Sequence, residues 1–246
     1  MKKSVKPLIK YIFLCLLLPV GCEQVHELYT DPQITREEIP LEPYHTIWTY
    51  GLFDIRLTED TVCKVMLKGK KSVLDNLWFN QRGKKILVGE GKKNQWHRAT
   101  DKPVLDFHFK KLRYLRIEEP SCLQADDTIH TSQLKLILAN ELTKMNLLLD
   151  AERVYMENWS TNTGVYHLAG RCAHLHVKLC GSGRLEAERL KTQNAVIEQH
   201  SIANGYLTVK DTLEVYSKNA GNIFYSGDPA KIIFEKHASG KLIRKK

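Results

Sequence analysis

Between Val154 and Leu242 the chain sets out apolar and polar positions in a unit that returns five times. Each unit opens on two apolar residues with one residue between them: Val154/Met156, Leu175/Val177, Ala195/Ile197, Leu213/Val215 and Ile232/Phe234. A glycine follows the second member after six or eight residues: Gly164, Gly183, Gly205, Gly221 and Gly240. Two residues beyond each glycine stands another apolar side chain: Tyr166, Leu185, Leu207, Ile223 and Leu242. The glycines are 19, 22, 16 and 19 residues apart, the length of a short solenoid coil.

The parity of these offsets carries the most information. A strand turns successive side chains to opposite faces, so a slip of one residue would send a whole apolar set into water. Here the link lengthens by two and never by one, which keeps the inward phase in every copy. The residues ahead of the glycines, as in Cys180-Gly181-Ser182 and His237-Ala238-Ser239, are small or polar and suit tight corners with positive φ. Each unit therefore reads as strand, tight corner, strand and looser connection. A meander of antiparallel hairpins has the same turn chemistry, but the fixed long period favours a stacked coil. In that coil Met156, Val177, Ile197, Val215 and Phe234 line one buried row, and Tyr166, Leu185, Leu207, Ile223 and Leu242 another.

Ahead of the repeats, strand patterning dominates. Phe53/Ile55/Leu57, Cys63/Val65/Leu67, Ile86/Val88 and Leu105/Phe107/Phe109 each alternate with polar residues, and Leu112 and Tyr114 continue the spacing towards Ile117. Ser72 to Leu77 is the one expected helical turn, with Ser72 as its cap and Val73, Leu74 and Leu77 as one face. Gly89 to Lys102 is polar and reads as an exposed loop. Leu134/Leu136/Leu138 and Met145/Leu147/Leu149 form an irregular rung in which Asn140-Glu141-Leu142-Thr143 replaces the glycine corner.

The first 21 residues read as a targeting segment. Lys2, Lys3, Lys6 and Lys10 precede a short apolar run, Tyr11 to Leu18, which is too short to span a bilayer. The run ends at Pro19-Val20-Gly21-Cys22, which resembles the lipobox of bacterial lipoproteins, with Pro19 where leucine is usual. That resemblance implies cleavage before Cys22, lipidation of Cys22 and attachment to one membrane leaflet through acyl chains. Ordinary signal cleavage nearby is the alternative. Residues 22–44 carry Pro32, Pro40 and Pro43 and no apolar period, and read as a tether; Ile39-Pro40-Leu41 could instead serve as a first strand. Residues 45–246 read as a single all-β domain, with the less regular half capping one end and Lys241 to Lys246 blunting the other.

Losing the four lysines of the targeting segment takes the formal charge from +9 to +5. The remaining basic clusters, such as Lys84/Lys85 and Lys110/Lys111, are short and lack the aromatic–basic motifs of nucleic-acid binders, so no nucleic-acid partner is expected. Such clusters suit a weak attraction to acidic glycans or lipid headgroups.

A family resemblance accompanies these patterns. Tyr50-Gly51-Leu52-Phe53-Asp54-Ile55-Arg56-Leu57, Val65 to Gly69 and Ser72 to Leu77 resemble the opening of the auto-transporter adhesin head GIN domain family (DUF2807) of Bacteroidetes lipoproteins. The Gly181-Ser182-Gly183 corner and the segment from Asn222-Ile223-Phe224-Tyr225-Ser226-Gly227-Asp228-Pro229 resemble its repeats and close. The resemblance spans about Thr46 to Leu242 and keeps the Gly-Ser-Gly corner once. It implies a right-handed parallel β-helix-like fold on an envelope lipoprotein and little about activity. Glycans or envelope and host proteins are the expected partners, with the ligand itself left open.

Catalytic signatures are absent: the chain has no His-Glu-x-x-His, Gly-x-Ser-x-Gly, P-loop or Cys-x-x-Cys. No cofactor is expected. Cys172, His174 and His176 fall on one face of a straight strand and are the candidate zinc ligands, although Cys-x-His-x-His is not a recurring zinc spacing. Glu118-Glu119 and Asp126-Asp127 would serve the rival reading, a glycan hydrolase or lyase on a β-helix. Beyond Cys15 and Cys22, an exported protein could pair Cys63, Cys122, Cys172 and Cys180, but they are expected mostly as free thiols. No two of them stand one repeat apart, and eight strand steps of about 3.3 Å separate Cys172 from Cys180. The sequence thus points to a non-enzymatic, adhesin-like lipoprotein of the cell envelope, lipid-anchored in the outer membrane and displaying a β-solenoid.

Overall fold

The structure is a computed structural model that describes residues 34–91, 102–159 and 162–245. The targeting segment and Cys22 lie outside the described residues. The strands are β1 (Ile34–Pro40), β2 (Thr46–Tyr50), β3 (Asp54–Glu59), β4 (Lys64–Lys70), β5 (Leu77–Arg82), β6 (Lys85–Glu90), β7 (Val104–Phe109), β8 (Tyr114–Ile117) and β9 (Ser121–Gln124). The chain continues through β10 (Ile129–Leu138), β11 (Thr143–Asn158), β12 (Val165–Gly181), β13 (Arg184–Ser201), β14 (Gly205–Ser217), β15 (Ile223–Ser226), β16 (Lys231–Lys236) and β17 (Leu242–Arg244). A single helical turn, α1 (Lys71–Leu74), joins β4 to β5.

These strands wind into a β-solenoid of about six turns. Each of β11 to β14 is long because it bends at a corner and serves both faces of the coil. On the front face β6, β2, β8, the second arms of β10 to β14, and β16 run parallel in that order. On the back face β7, β3, β9, the first arms of β11 to β14, β15 and β17 do the same. The order of rungs is not the order of the chain, since β2 and β3 sit between the β6/β7 rung and the β8/β9 rung. Among the described residues, antiparallel pairing is confined to the N-terminal end, where β1 pairs β4, β4 pairs β7, and β5 pairs β6. These strands close the coil there, and β1 draws Ile34–Pro40 out of the stretch expected as a tether and into the domain.

The row expected on the front face is present. Met156 pairs with Val177, Val177 with Ile197, Ile197 with Val215, and Val215 with Phe234. The first four are at most 1% exposed, and full burial of each such side chain contributes about 1.5–3 kcal/mol. Phe234 departs from the expectation: it is 36% exposed and its neighbour in the pair, Ile232, 43%. β16 and the three-residue β17 form the last rung among the described residues, so no further coil closes the interior over them.

On the back face Tyr166, Leu185, Ile223 and Leu242 stack through Gly205, not through Leu207. Leu207 lies two residues further on, between Ala187 and Tyr225, and is still buried. The Ile223 side chain fills the space at Gly205, where an added Cβ would come within 2.8 Å of Ile223 Cδ1.

Of the corner residues expected to favour positive φ, Gly181 adopts it, at +66°, but the repeat glycines themselves do not. Positive φ occurs at Gly83, Gly170, Gly181 and Gly227, and at none of the five repeat positions. What those positions require is room between rungs: a Cβ on Gly164 would overlap the Thr143 carbonyl oxygen, and one on Gly221 the Ala203 carbonyl oxygen. Asparagines complete these turns. Asn140 Nδ2 donates to the Ile117 carbonyl at 3.1 Å, and Asn162 Nδ2 to the Asn140 carbonyl at 2.9 Å, so buried backbone oxygens are satisfied rung upon rung.

The helical turn is capped two residues earlier than expected. Lys70 is its N-cap, without a side-chain capping bond, Ser72 lies inside the turn, and Leu77 already belongs to β5. Leu74 alone of the expected face is buried. The loop expected from Gly89 begins at Gly91, because Gly89 and Glu90 end β6; residues 92–101 lie outside the described residues.

Candidate functional site

The candidate zinc ligands do not converge. Parity, kept across the glycine turns, reverses at the opposite corner: Leu147 and Leu149 are buried, and so are Val154 and Met156. In β12 the same reversal turns Cys172 into the interior, while His174 is exposed and His176 lies on the outer front face. The Cys172 thiol donates to the His174 carbonyl at 3.2 Å, and burial pushes its pKa up to about 11. His176 Nε2 instead meets Glu198 Oε1 at 2.8 Å. No group of three metal-ligating side chains occurs among the described residues. Cys63, Cys122, Cys172 and Cys180 are all free, as expected.

The acids weighed for glycan cleavage are also dispersed. Glu118 holds Arg116 Nε at 2.5 Å beside the front face, whereas Asp126 lies 3.4 Å from Arg56 on the back face. A shallow groove of about 460 Å³ at the corner of β11 to β14 is bordered by Asp150, Arg171, Lys191 and Lys210. Asp150 already pairs with Arg171 at 2.6 Å, and the other cations are solvated side chains.

The front face has a more organised surface at its N-terminal end. The core phase of β2 is Ile47 and Thr49, so Trp48 and Tyr50 project outward. Parallel pairing sets Trp48 beside Arg116 of β8 and Thr46 beside Tyr114. Tyr114 was expected in phase with Leu112, but β8 buries Leu115 and Ile117 and turns Tyr114 out. The Trp48 ring centroid lies 6.2 Å from that of Tyr114 and 6.4 Å from that of Tyr50.

Trp78 joins this group through a gap. Across three neighbouring strands the positions in line are Trp78 of β5, Gly89 of β6 and Tyr50 of β2. Because residue 89 has no side chain, the indole lies over it, and a Cβ there would overlap the ring. Trp78 thereby reaches Tyr50, with centroids 6.0 Å apart and an interplanar angle of 27°. One face of the indole is covered by the sheet, and the residue is 40% exposed.

Cations flank the rings. Lys85 Nζ stands 3.0 Å from the Trp48 centroid, and Arg116 lies 5.4 Å from Trp48 and 5.6 Å from the 47%-exposed Trp159. Lys85 makes no ion pair among the described residues. Lost hydration, followed by the charges of Arg82 and Arg116, moves its pKa below the usual lysine range. The stripe runs on along the coil through Lys135, Tyr155 and His176, with Lys135 Nζ 5.0 Å from the Tyr155 ring and the Tyr155 and His176 rings 5.0 Å apart. Apart from His176, a candidate zinc ligand, and Lys85, in a short basic cluster, none of these residues stands out in the sequence as part of a site. The available signal was Trp48-x-Tyr50 on the phase opposite the core.

Solved structures of proteins from Bacteroides and Parabacteroides share this fold. A structure titled a putative adhesin from Bacteroides fragilis matches with a TM-score of 0.78 at 12% identity, over 87% of this chain and 98% of that one. A second, titled a putative adhesin from Parabacteroides distasonis, matches with a TM-score of 0.64 at 14% identity, over 87% and 98%. A third from the same organism, titled a putative lipid binding protein, matches with a TM-score of 0.57 at 15% identity, over 88% and 98%. At these identities the likeness establishes the fold alone. No curated protein matches the chain. The family model described as "Putative auto-transporter adhesin, head GIN domain" matches residues 43–229, and the chain belongs to that family.

Proposed function

We propose that this protein is a non-catalytic, adhesin-like binding protein of the cell envelope, anchored in the outer membrane through a lipid on Cys22. It engages its ligand with the outer front face of the coil. The observation that carries this reading is the array of Trp48, Tyr50, Trp78 and Tyr114 on a stack of parallel strands. Trp78 is exposed and Trp48, Tyr50 and Tyr114 are half-buried; aromatic side chains at a surface offer large, rigid contact area at low entropic cost, which is how binding surfaces concentrate their energy. Family membership supports an adhesin-like role and a place in the cell envelope. The dispersal of Glu118 and Asp126 over two faces favours binding over glycan cleavage. The lipid anchor rests on the lipobox-like Pro19-Val20-Gly21-Cys22.

A screen of residues 23–246 against immobilised glycans and matrix proteins tests the reading. It expects at least one ligand, held by the wild type and lost in Trp78→Ala. A screen in which no probe is retained would overturn it.

A further inference from the structure

We infer that the front-face platform binds an acidic glycan, with a pyranose ring seated on Trp78 and Tyr50 and a carboxylate or sulfate of the sugar at Lys85 and Arg116. The inference rests on the reading of the chain as an adhesin-like binder and assigns that binder its ligand class.

The shape of the platform selects a flat, partly apolar ligand. Trp78 lies against the sheet because Gly89 leaves the middle strand bare, so its outer π-face is open at the surface and nearly parallel to that of Tyr50. The axial C–H groups of a pyranose are weakly positive and pack on the negative face of an aromatic ring, while its hydroxyls stay in water. Two neighbouring rings, with centroids 6.0 Å apart and planes 27° from parallel, offer aromatic surface to more than one sugar of a chain. A helical peptide would need a groove here, and the rings project from the sheet face, not along the outer edge of β5, whose one pairing among the described residues is with β6.

Charge then selects among sugars. Lys85 and Arg116 stand on either hand of Trp48, with Arg82 close enough to perturb Lys85. Glu118 is the carboxylate on this patch that the described residues show bound to a cation, and it serves Arg116. Lys85 is left with a π-face and no counter-ion among the described residues, a position an incoming anion completes. Complementary charge at an exposed site also makes binding sensitive to salt.

The experiment uses residues 23–246 and a panel of polygalacturonate, a sialylated oligosaccharide and a sulfated glycan, each beside its neutral counterpart (methyl ester, desialylated, desulfated). Binding is read by calorimetry at low and high salt. At least one acidic member should bind, its neutral counterpart at least tenfold more weakly, with affinity falling as salt rises. Trp78→Ala and Gly89→Val, which removes or lifts the indole, should lose binding, and Lys85→Gln should weaken it about tenfold. Tyr206→Ala, which breaks the Tyr206–Phe224 stack on the back face, should leave it intact. Unchanged melting temperatures identify the variants that report on binding, and Lys85→Gln, a surface change, is chosen to be among them.

Equal affinity for an acidic sugar and its neutral form would overturn the charge assignment. Loss in Tyr206→Ala with retention in Trp78→Ala would overturn the place. If no acidic member binds while a matrix protein or neutral glycan does, the ligand class falls and the adhesin-like reading stands. If nothing binds in either experiment, both fall.

Discussion

Asn158 acts as a strand partner for Cys180 at the point where β11 ends. Its Nδ2 donates to the Cys180 carbonyl oxygen at 2.9 Å and its Oδ1 accepts the Cys180 N–H at 2.8 Å, with the side chain 1% exposed. One side chain thus satisfies two buried backbone groups on the next rung. Replacing it by leucine strands both, at about 1–3 kcal/mol each. Denaturant unfolding should therefore show Asn158→Leu to be destabilised by roughly 3 kcal/mol or more, from the same penalties. Asn158→Asp, which keeps the acceptor, should fall in between. Wild-type stability in Asn158→Leu would contradict this account of the turn.

The glycines make a comparative prediction. At Gly83, φ is +55° and a Cβ would meet nothing within 4 Å, so alanine there costs only backbone strain, about 1–2 kcal/mol. Gly240 has no positive φ, yet its Cβ would stand 2.6 Å from Ser217 Oγ and 2.7 Å from the Asn219 carbonyl oxygen. Gly164 and Gly221 are similarly hemmed by backbone. Gly221→Ala should lower the melting temperature more than Gly83→Ala does. The reverse order would mean that conformation, not room between rungs, selects the repeat glycines.

Asp60 ties the β3–β4 connection to β7. Its carboxylate lies 2.9 Å from His108 Nδ1 and accepts the Val62 N–H at 3.3 Å, and these bonds, the first foremost, hold its pKa at about 2 against an ordinary 3.8. A carboxyl depressed on folding contributes stability that is present above its unfolded pKa and lost as pH falls through the folded one. The melting-temperature gap between wild type and Asp60→Asn should be full above about pH 5, shrink below 3.8, and close near pH 2. A gap that persists at pH 2 would show that the aspartate matters for something other than its charge.

The lipid anchor has its own test. Metabolic labelling with a fatty-acid analogue should mark the full-length chain and leave Cys22→Ser unmarked; equal labelling of both would remove Cys22 as the attachment point.

Much of the coil was legible in the sequence because the glycine turns preserve a period of two. Met156, Val177, Ile197 and Val215 needed no knowledge of register to be placed inside. Gly205 and Leu207 share a parity, so local pattern could not say which of them stands in the row. The reversal at the opposite corner falls between Cys172 and Leu175, and its one marker is Gly170, with φ +102°, two residues ahead of Cys172 and outside the glycine period; a straight-strand reading therefore puts Cys172 on the wrong face. Insertion of β2 and β3 between later rungs depends on long-range pairing with no local signal. The aromatic platform was hidden in the same way, since Trp78 lies flat only because Gly89 is its neighbour across the sheet.

The measurement that bears most directly on the coil and its phase is a pair of melting curves. Val177 is 0% exposed between Met156 and Ile197, so Val177→Asp buries a carboxylate among apolar side chains, at a cost of several kcal/mol. Lys178 is its outward neighbour, 2.8 Å from Glu157 and partly exposed, and Lys178→Gln forfeits a surface ion pair worth about 1 kcal/mol or less. For a domain of this size the first should melt roughly 10 °C or more below wild type and the second within about 4 °C of it. Comparable losses in the two variants would mean that the front-face row has been placed in the wrong phase.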